Sequence, residues 1–169
     1  MEKTAKTLIV IDMQNDFVDG SLGSPDAEAI VAPVIDKIRK CREEGCRIIF
    51  TRDTHGENYL ETREGQYLPV KHCIKGTFGW ELQKDMDTTG ATVIDKPAFG
   101  YTGWGEYPSD EFELVGLCTD ICVVSNALLL KAIYPEAVVR VDSHCCAGVT
   151  KESHEAALMT MRACHVEVE

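Results

Sequence analysis

The chain is 169 residues long and 44% apolar, enough to close one ordinary domain, residues 1–169, without staples. Its formal charge of −11, from 28 acidic against 17 basic side chains, excludes nucleic acid and anionic membrane surfaces as partners and leaves a small molecule as the expected ligand. No apolar stretch approaches the roughly 18 residues of a membrane span, the start of the chain shows no secretory h-region, and several of the eight cysteines sit on core-like runs, so a cytoplasmic protein with reduced thiols is expected.

In chain order, residues 7–11 read as the first strand. A helix follows over 33–44, opened by Pro33 and closed by Gly45. A second strand over 47–51, helical spacing over about 79–86 and a third strand over 91–94 come next, then a strand at 113–117, a helix at 121–134, a strand at 137–141, a helix at 150–163 and a last strand at 165–168. Alternating β and α segments with nearly continuous β-branched strands imply strands buried on both faces. The expected class is α/β: a three-layer α-β-α sandwich around an open, mostly parallel sheet of about six strands, joined by right-handed crossovers. Stretches 15–26, 53–78 and 96–110 are longer than the roughly two to six residues a strand-to-helix turn needs, and such loops carry function.

Ligands of open α/β sheets bind outside the carboxyl ends of the strands. Asp12 follows the first strand, Asp53 the second and Lys96 the third; Cys122 opens the helix after the fourth strand, and Asp142 ends the fifth. An acid, a lysine and a helix-start cysteine on one rim give a nucleophile with a base and a cation beside it, the arrangement thiol catalysis of acyl transfer requires. Unpaired N–H groups at a helix start lower a cysteine pKa from about 8.5 toward neutrality, so Cys122 is expected to ionise easily. Asp53 and His55 lie two apart at a strand end, and His72 closes the same loop. Two imidazoles and a carboxylate suit Zn²⁺, Mn²⁺ or Fe²⁺. His144, beside Cys145 and Cys146, lacks a zinc spacing, and His154 near the polar start of the last helix reads as a cap or interface residue. Aromatic residues concentrate in the long loops, and Phe17, Phe99, Tyr101 and Trp104 are expected to wall a pocket for a flat substrate.

Four separated segments carry a family resemblance: 8–17 (LIVIDMQNDF), 96–99 (KPAF), 116–123 (GLCTDICV) and 146–150 (CAGVT). Together they resemble the isochorismatase-like cysteine hydrolase superfamily, in its nicotinamidase-like branch, over essentially the whole chain. The resemblance implies Asp12 as general base, Lys96 as its cationic partner and Cys122 as nucleophile. It further implies an oxyanion hole from the backbone N–H groups of Cys122 and Cys118, the latter after a cis Leu117–Cys118 bond. It places a divalent metal on Asp53, His55 and His72, with Glu64 as candidate fourth ligand and Glu61 as its competitor. Zinc is the first choice, with manganese or iron also compatible, and no organic cofactor is expected. The activity implied is cleavage of a small carboxamide through a thioester with release of ammonia, in a homo-oligomer. The competing readings are isochorismatase-type vinyl-ether hydrolysis, ureido or carbamoyl hydrolysis, and a non-catalytic binding protein or thiol redox sensor.

Overall fold

In a computed structural model, which describes residues 2–169, six strands form one sheet in the order β3-β2-β1-β4-β5-β6. The strands are β1 (Thr4–Ile11), β2 (Arg47–Asp53), β3 (Thr92–Lys96), β4 (Ser109–Leu117), β5 (Val138–Ala147) and β6 (Glu167–Val168), and every neighbouring pair is parallel. The chain lays β1 to β3 outward in one direction, then returns past β1 to lay β4 to β6 in the other. The order therefore reverses between β1 and β4, which opens a crevice at their carboxyl ends.

The β1 run shows why such strands are apolar throughout. Leu8 and Val10 pack with Val34, Ile38 and Cys41 of α3 (Val31–Glu43), while Ile9 and Ile11 face the layer holding Ala127 and Leu130 of α5 (Val124–Ile133) and Leu158 and Met161 of α6 (Lys151–Ala163). Each such side chain, fully removed from water, stabilises the fold by about 1.5–3 kcal/mol. The short helices α1 (Asn15–Val18) and α2 (Pro25–Ala29) extend the first layer, and α4 (Arg63–Tyr67) lies in the long connection after β2. Three starts are capped by side chains: Ser24 accepts the Ala27 N–H at 3.1 Å before α2, Thr62 accepts the Gly65 N–H at 3.1 Å before α4, and Thr150 and Ser153 form a reciprocal capping box before α6.

Two expectations are corrected. No helix covers 79–86: a 3-10 turn at Phe78–Trp80 is followed by irregular chain, because its backbone is engaged elsewhere. Asn15 N–H donates to the Glu81 carbonyl at 3.0 Å and Gln83 N–H to the Met13 carbonyl at 2.8 Å, so the segment zips against the chain leaving β1 instead of winding into a helix. Nor does Asp142 end the fifth strand. β5 continues to Ala147 after a register shift, in which Leu114 faces Val141 but Gly116 faces Cys146. Asp142 lies mid-strand and pairs with Lys37 of α3 at 2.8 Å, away from the rim.

Candidate active site

The strand-end residues converge at the crevice. Asp12 leaves β1 in the left-handed region (φ 48°), a conformation a short acidic side chain tolerates. Thr51 of β2 fixes its carboxylate by donating from Oγ1 to Asp12 Oδ1 at 2.6 Å. Across the gap, Gly116 of β4 takes φ 117°, and a Cβ there would stand 2.1 Å from the Ile11 carbonyl, so only glycine lets the two central strands come this close beside the site. Beyond β4 the Leu117–Cys118 peptide is cis, and Thr119–Val123 form a single π turn that runs into α5 and carries Cys122. The Cys118 carbonyl accepts from Ile121 N–H and Val123 N–H, each at 3.1 Å, passing over the N–H of Cys122 between them.

Lys96 ends β3 with its ammonium fully buried. Its Nζ lies 2.6 Å from Asp12 Oδ2, 3.8 Å from Asp53 Oδ1 and 3.5 Å from Cys122 Sγ, and donates to the Ala98 carbonyl at 3.2 Å. Burial works against its charge, but Asp12, Cys122 and Asp53 outweigh burial and hold it above the ordinary lysine value, so it stays an ammonium. Burial raises the Asp12 carboxyl above the usual range despite the opposing Lys96 charge. Cys122 departs from the sequence expectation. Burial first, and then the facing Asp12 carboxylate, push its thiol well above an ordinary cysteine, with Lys96 only partly offsetting them. Burial and the acid together outweigh the ammonium beside Cys122 and favour its thiol form.

Next to it, Asp53, His55, Glu64 and His72 each offer one ligand atom, and these atoms lie within 4.8 Å of one another. His55 Nε2 is 2.8 Å and His72 Nε2 3.6 Å from Asp53 Oδ2, and Glu64 Oε1 reaches within 3.6 Å and 3.7 Å of the same two nitrogens. His72 Nδ1 donates to the Val70 carbonyl at 2.8 Å, which orients its ring and turns Nε2 toward Asp53 and Glu64 as the ligating nitrogen. Asp53 thus divides its carboxylate, Oδ2 toward the two histidines and the buried Oδ1 toward the Lys96 ammonium, without a hydrogen bond to Oδ1. A set of two nitrogens and two carboxylates fits a divalent metal. Glu64, on the first turn of α4, takes the fourth place, while Glu61 lies outside the group.

Both centres open on a cavity of about 510 Å³ lined by Asp53, Glu64, His72, Cys118 and Cys122, with Phe17, Leu68, Phe99, Ile121 and Val149 among its apolar walls. Phe17 and Phe99 stand where the loop aromatics were expected, but Tyr101 and Trp104 do not. Trp104 is wholly buried in the core with Ile49, Ile94 and Ala127, and Tyr101 packs edge-on against it at 5.1 Å. His154 donates or accepts at Thr119 Oγ1 (2.8 Å) behind the Cys122 turn, and His144 points outward by Asp142. Two supporting residues had not been assigned roles. Gln14, fully buried, accepts the Asp53 N–H at 2.7 Å and donates to the Asp53 and Trp80 carbonyls at 2.9 and 2.8 Å. Asp16 accepts the Cys73 N–H at 2.8 Å beside His72. Their polarity immediately after an apolar strand was the available signal.

Such an assembly equips a protein to attack an acyl carbon while holding a polar substrate, and the class it defines is that of hydrolases built on a parallel α/β sheet. The chain belongs to the Isochorismatase domain family, whose model matches residues 6–169. It is similar to the nicotinamidase/pyrazinamidase of Mycobacterium tuberculosis, 28% identical over 184 residues that cover 96% of this chain and 97% of that protein. The pyrazinamidase of Pyrococcus horikoshii, solved in complex with zinc, matches with TM-score 0.82 at 29% identity over 97% of this chain and 98% of its own. The pyrazinamidase/nicotinamidase from Streptococcus mutans matches with TM-score 0.85 at 27% identity over 98% and 100%. Among the described residues no helix is long and apolar enough to cross a membrane.

Proposed function

We propose that the protein is a nicotinamidase-like amidohydrolase that cleaves the C–N bond of a small carboxamide, with nicotinamide as first substrate, to the acid and ammonia. The observation that carries this reading is that the Cys122 thiol, in reach of the Lys96 ammonium, shares one cavity with Asp53, Glu64 and His72. The relatives named for nicotinamidase and pyrazinamidase activity support the same substrate class. Asp12 takes the thiol proton as Cys122 Sγ attacks the amide carbonyl, and Lys96 keeps the resulting charges paired. The N–H groups of Cys122 and Cys118 receive the oxyanion, each such donor being worth roughly 2.7–4 kcal/mol. Asp12 then returns the proton to the departing nitrogen, releasing ammonia and leaving a thioester. In the second half Asp12 deprotonates a water that attacks the thioester, and the departing sulfur recovers the proton. Asp53, His55, Glu64 and His72 would hold a divalent ion, zinc first and manganese or iron next, which supplies a site for a pyridine nitrogen and so orients the carboxamide.

The proposal places the enzyme in the cytoplasm, where its eight free thiols persist, as a single domain in a homo-oligomer whose size light scattering reads. Its test is ammonia release from nicotinamide and pyrazinamide by metal-loaded protein, with Cys122→Ala as control. Release that disappears in the variant supports it. Inert wild-type protein, or an active Cys122→Ala, overturns it in favour of vinyl-ether hydrolysis, carbamoyl hydrolysis or a thiol sensor, which the same preparation tests with isochorismate, ureido acids and peroxide.

A further inference from the structure

We propose that Asn126 is a positioning residue that locks the loop after β3 to the backbone of Cys122, and so sets both the thiol–ammonium geometry and the Phe99 wall. The inference rests on the amidase reading above. Asn126 sits two turns inside the π-to-α helix and is completely buried, where an amide is costly unless every donor and acceptor is used. All are used. Its Nδ2 donates to the Cys122 carbonyl at 2.8 Å and the Phe99 carbonyl at 3.1 Å, and its Oδ1 accepts from Tyr101 N–H at 2.8 Å and Trp104 Nε1 at 2.9 Å. A flipped amide would set donors against donors, so a single orientation is allowed. The loop it grips, from Ala98 to Trp104, begins at the carbonyl that accepts from Lys96 Nζ and includes the ring that lines the cavity. One side chain thus ties the nucleophile's own backbone to the partner of its cation and to a substrate wall.

Asn126→Leu keeps the branched shape and heavy-atom count and removes all four bonds, whereas Asn126→Thr keeps a hydroxyl able to reach the carbonyl four residues earlier, at Cys122, and loses the loop contacts. Two readouts are used: nicotinamide kinetics, and alkylation of Cys122 by a small neutral haloacetamide, which needs no amide turnover. For Asn126→Leu a misplaced thiol is expected to cost on the order of 10²-fold in kcat, with alkylation slowed in parallel. Asn126→Thr is expected to recover alkylation and most of kcat while KM stays several-fold high, on the order of one hydrogen bond's worth. If Asn126→Leu does not fold, the Thr variant alone decides. Unchanged KM and kcat per folded molecule in either folded variant overturns the proposal, as does an equal loss in kcat/KM with native alkylation. Should wild-type protein hydrolyse no amide, the amidase reading falls while the alkylation comparison still judges Asn126.

Discussion

Replacing Lys96 by methionine tests the electrostatics at the crevice. The ammonium is wholly enclosed, 2.6 Å from Asp12 and 3.8 Å from Asp53, and both acids are themselves buried. Methionine matches the stem but leaves Asp12 facing no cation, and breaking a buried pair by removing one partner costs about 3–5 kcal/mol. At roughly 2–4 °C per kcal/mol for a chain of this size, the melting temperature should fall by about 6–20 °C. The variant's acid then relaxes by taking a proton. Its folded-state pKa rises further above the unfolded value, the folded state binds more protons than the unfolded one, and stability must fall as pH rises, by up to ~1.4 kcal/mol per pH unit for one group. The deficit should therefore shrink on acidification. Adding Asp12→Asn removes the stranded charge, so the double variant should regain at least ~1 kcal/mol relative to the sum of the singles. Urea unfolding of the metal-free proteins at several pH values measures this. A Lys96→Met protein within ~1 kcal/mol of wild type, or a fully additive double variant, refutes the picture of a buried triad held by one cation.

Removal of a metal ligand should separate binding from folding: His72→Ala is expected to lose bound metal by elemental analysis, and the melting temperature should no longer rise on adding zinc. In wild type, zinc at about 100 times its dissociation constant should add ~2.7 kcal/mol. Away from the site, Lys37 pairs with Glu113 and with Asp142 at 2.8 Å. Although burial acts upward, these contacts hold both carboxyls below their usual values. Their contribution is present above the unfolded pKa values of about 4.3 and 3.9 and is lost as pH falls through the lower folded ones, so Lys37→Met should flatten the acid limb of stability against pH. Phe99→Ala should raise KM for nicotinamide with kcat nearly kept. Trp104→Ala, a core change, should cost about 3–5 kcal/mol in chemical unfolding, and a KM effect without that loss would return Trp104 to the pocket.

Strand-end reasoning located Asp12, Asp53, Lys96 and Cys122 because a parallel sheet forces the ends of buried runs onto one rim, and β-branched runs mark those strands unambiguously. The metal group was legible for a related reason: His55 is tied to Asp53 by spacing. Glu64 was not separable from Glu61, since which of two glutamates turns inward depends on where the short α4 begins. The helix expected over 79–86 failed because its period was real while its backbone partners lay beside β1, a tertiary competition that no local pattern records. Tyr101 and Trp104 failed for a similar reason. Trp104 instead joins the core beside Ile49 and Ile94, with its indole N–H bonded to Asn126 of α5, a long-range packing that loop composition does not record. The ionisation of Cys122 was misjudged because a helix start was weighed without the burial that encloses it.

The strand order has a consequence for the life of the chain before it is finished folding. The groups at the crevice come from four different strands or their exits and are separated by dozens of residues, so no nascent segment can bring an acid or an amine to Cys122. Until β1 and β4 dock side by side, that sulfur has neither the Asp12 carboxylate nor the Lys96 ammonium beside it. Turnover therefore arrives only once these strands have paired, which makes it a readout of completed topology at the crevice.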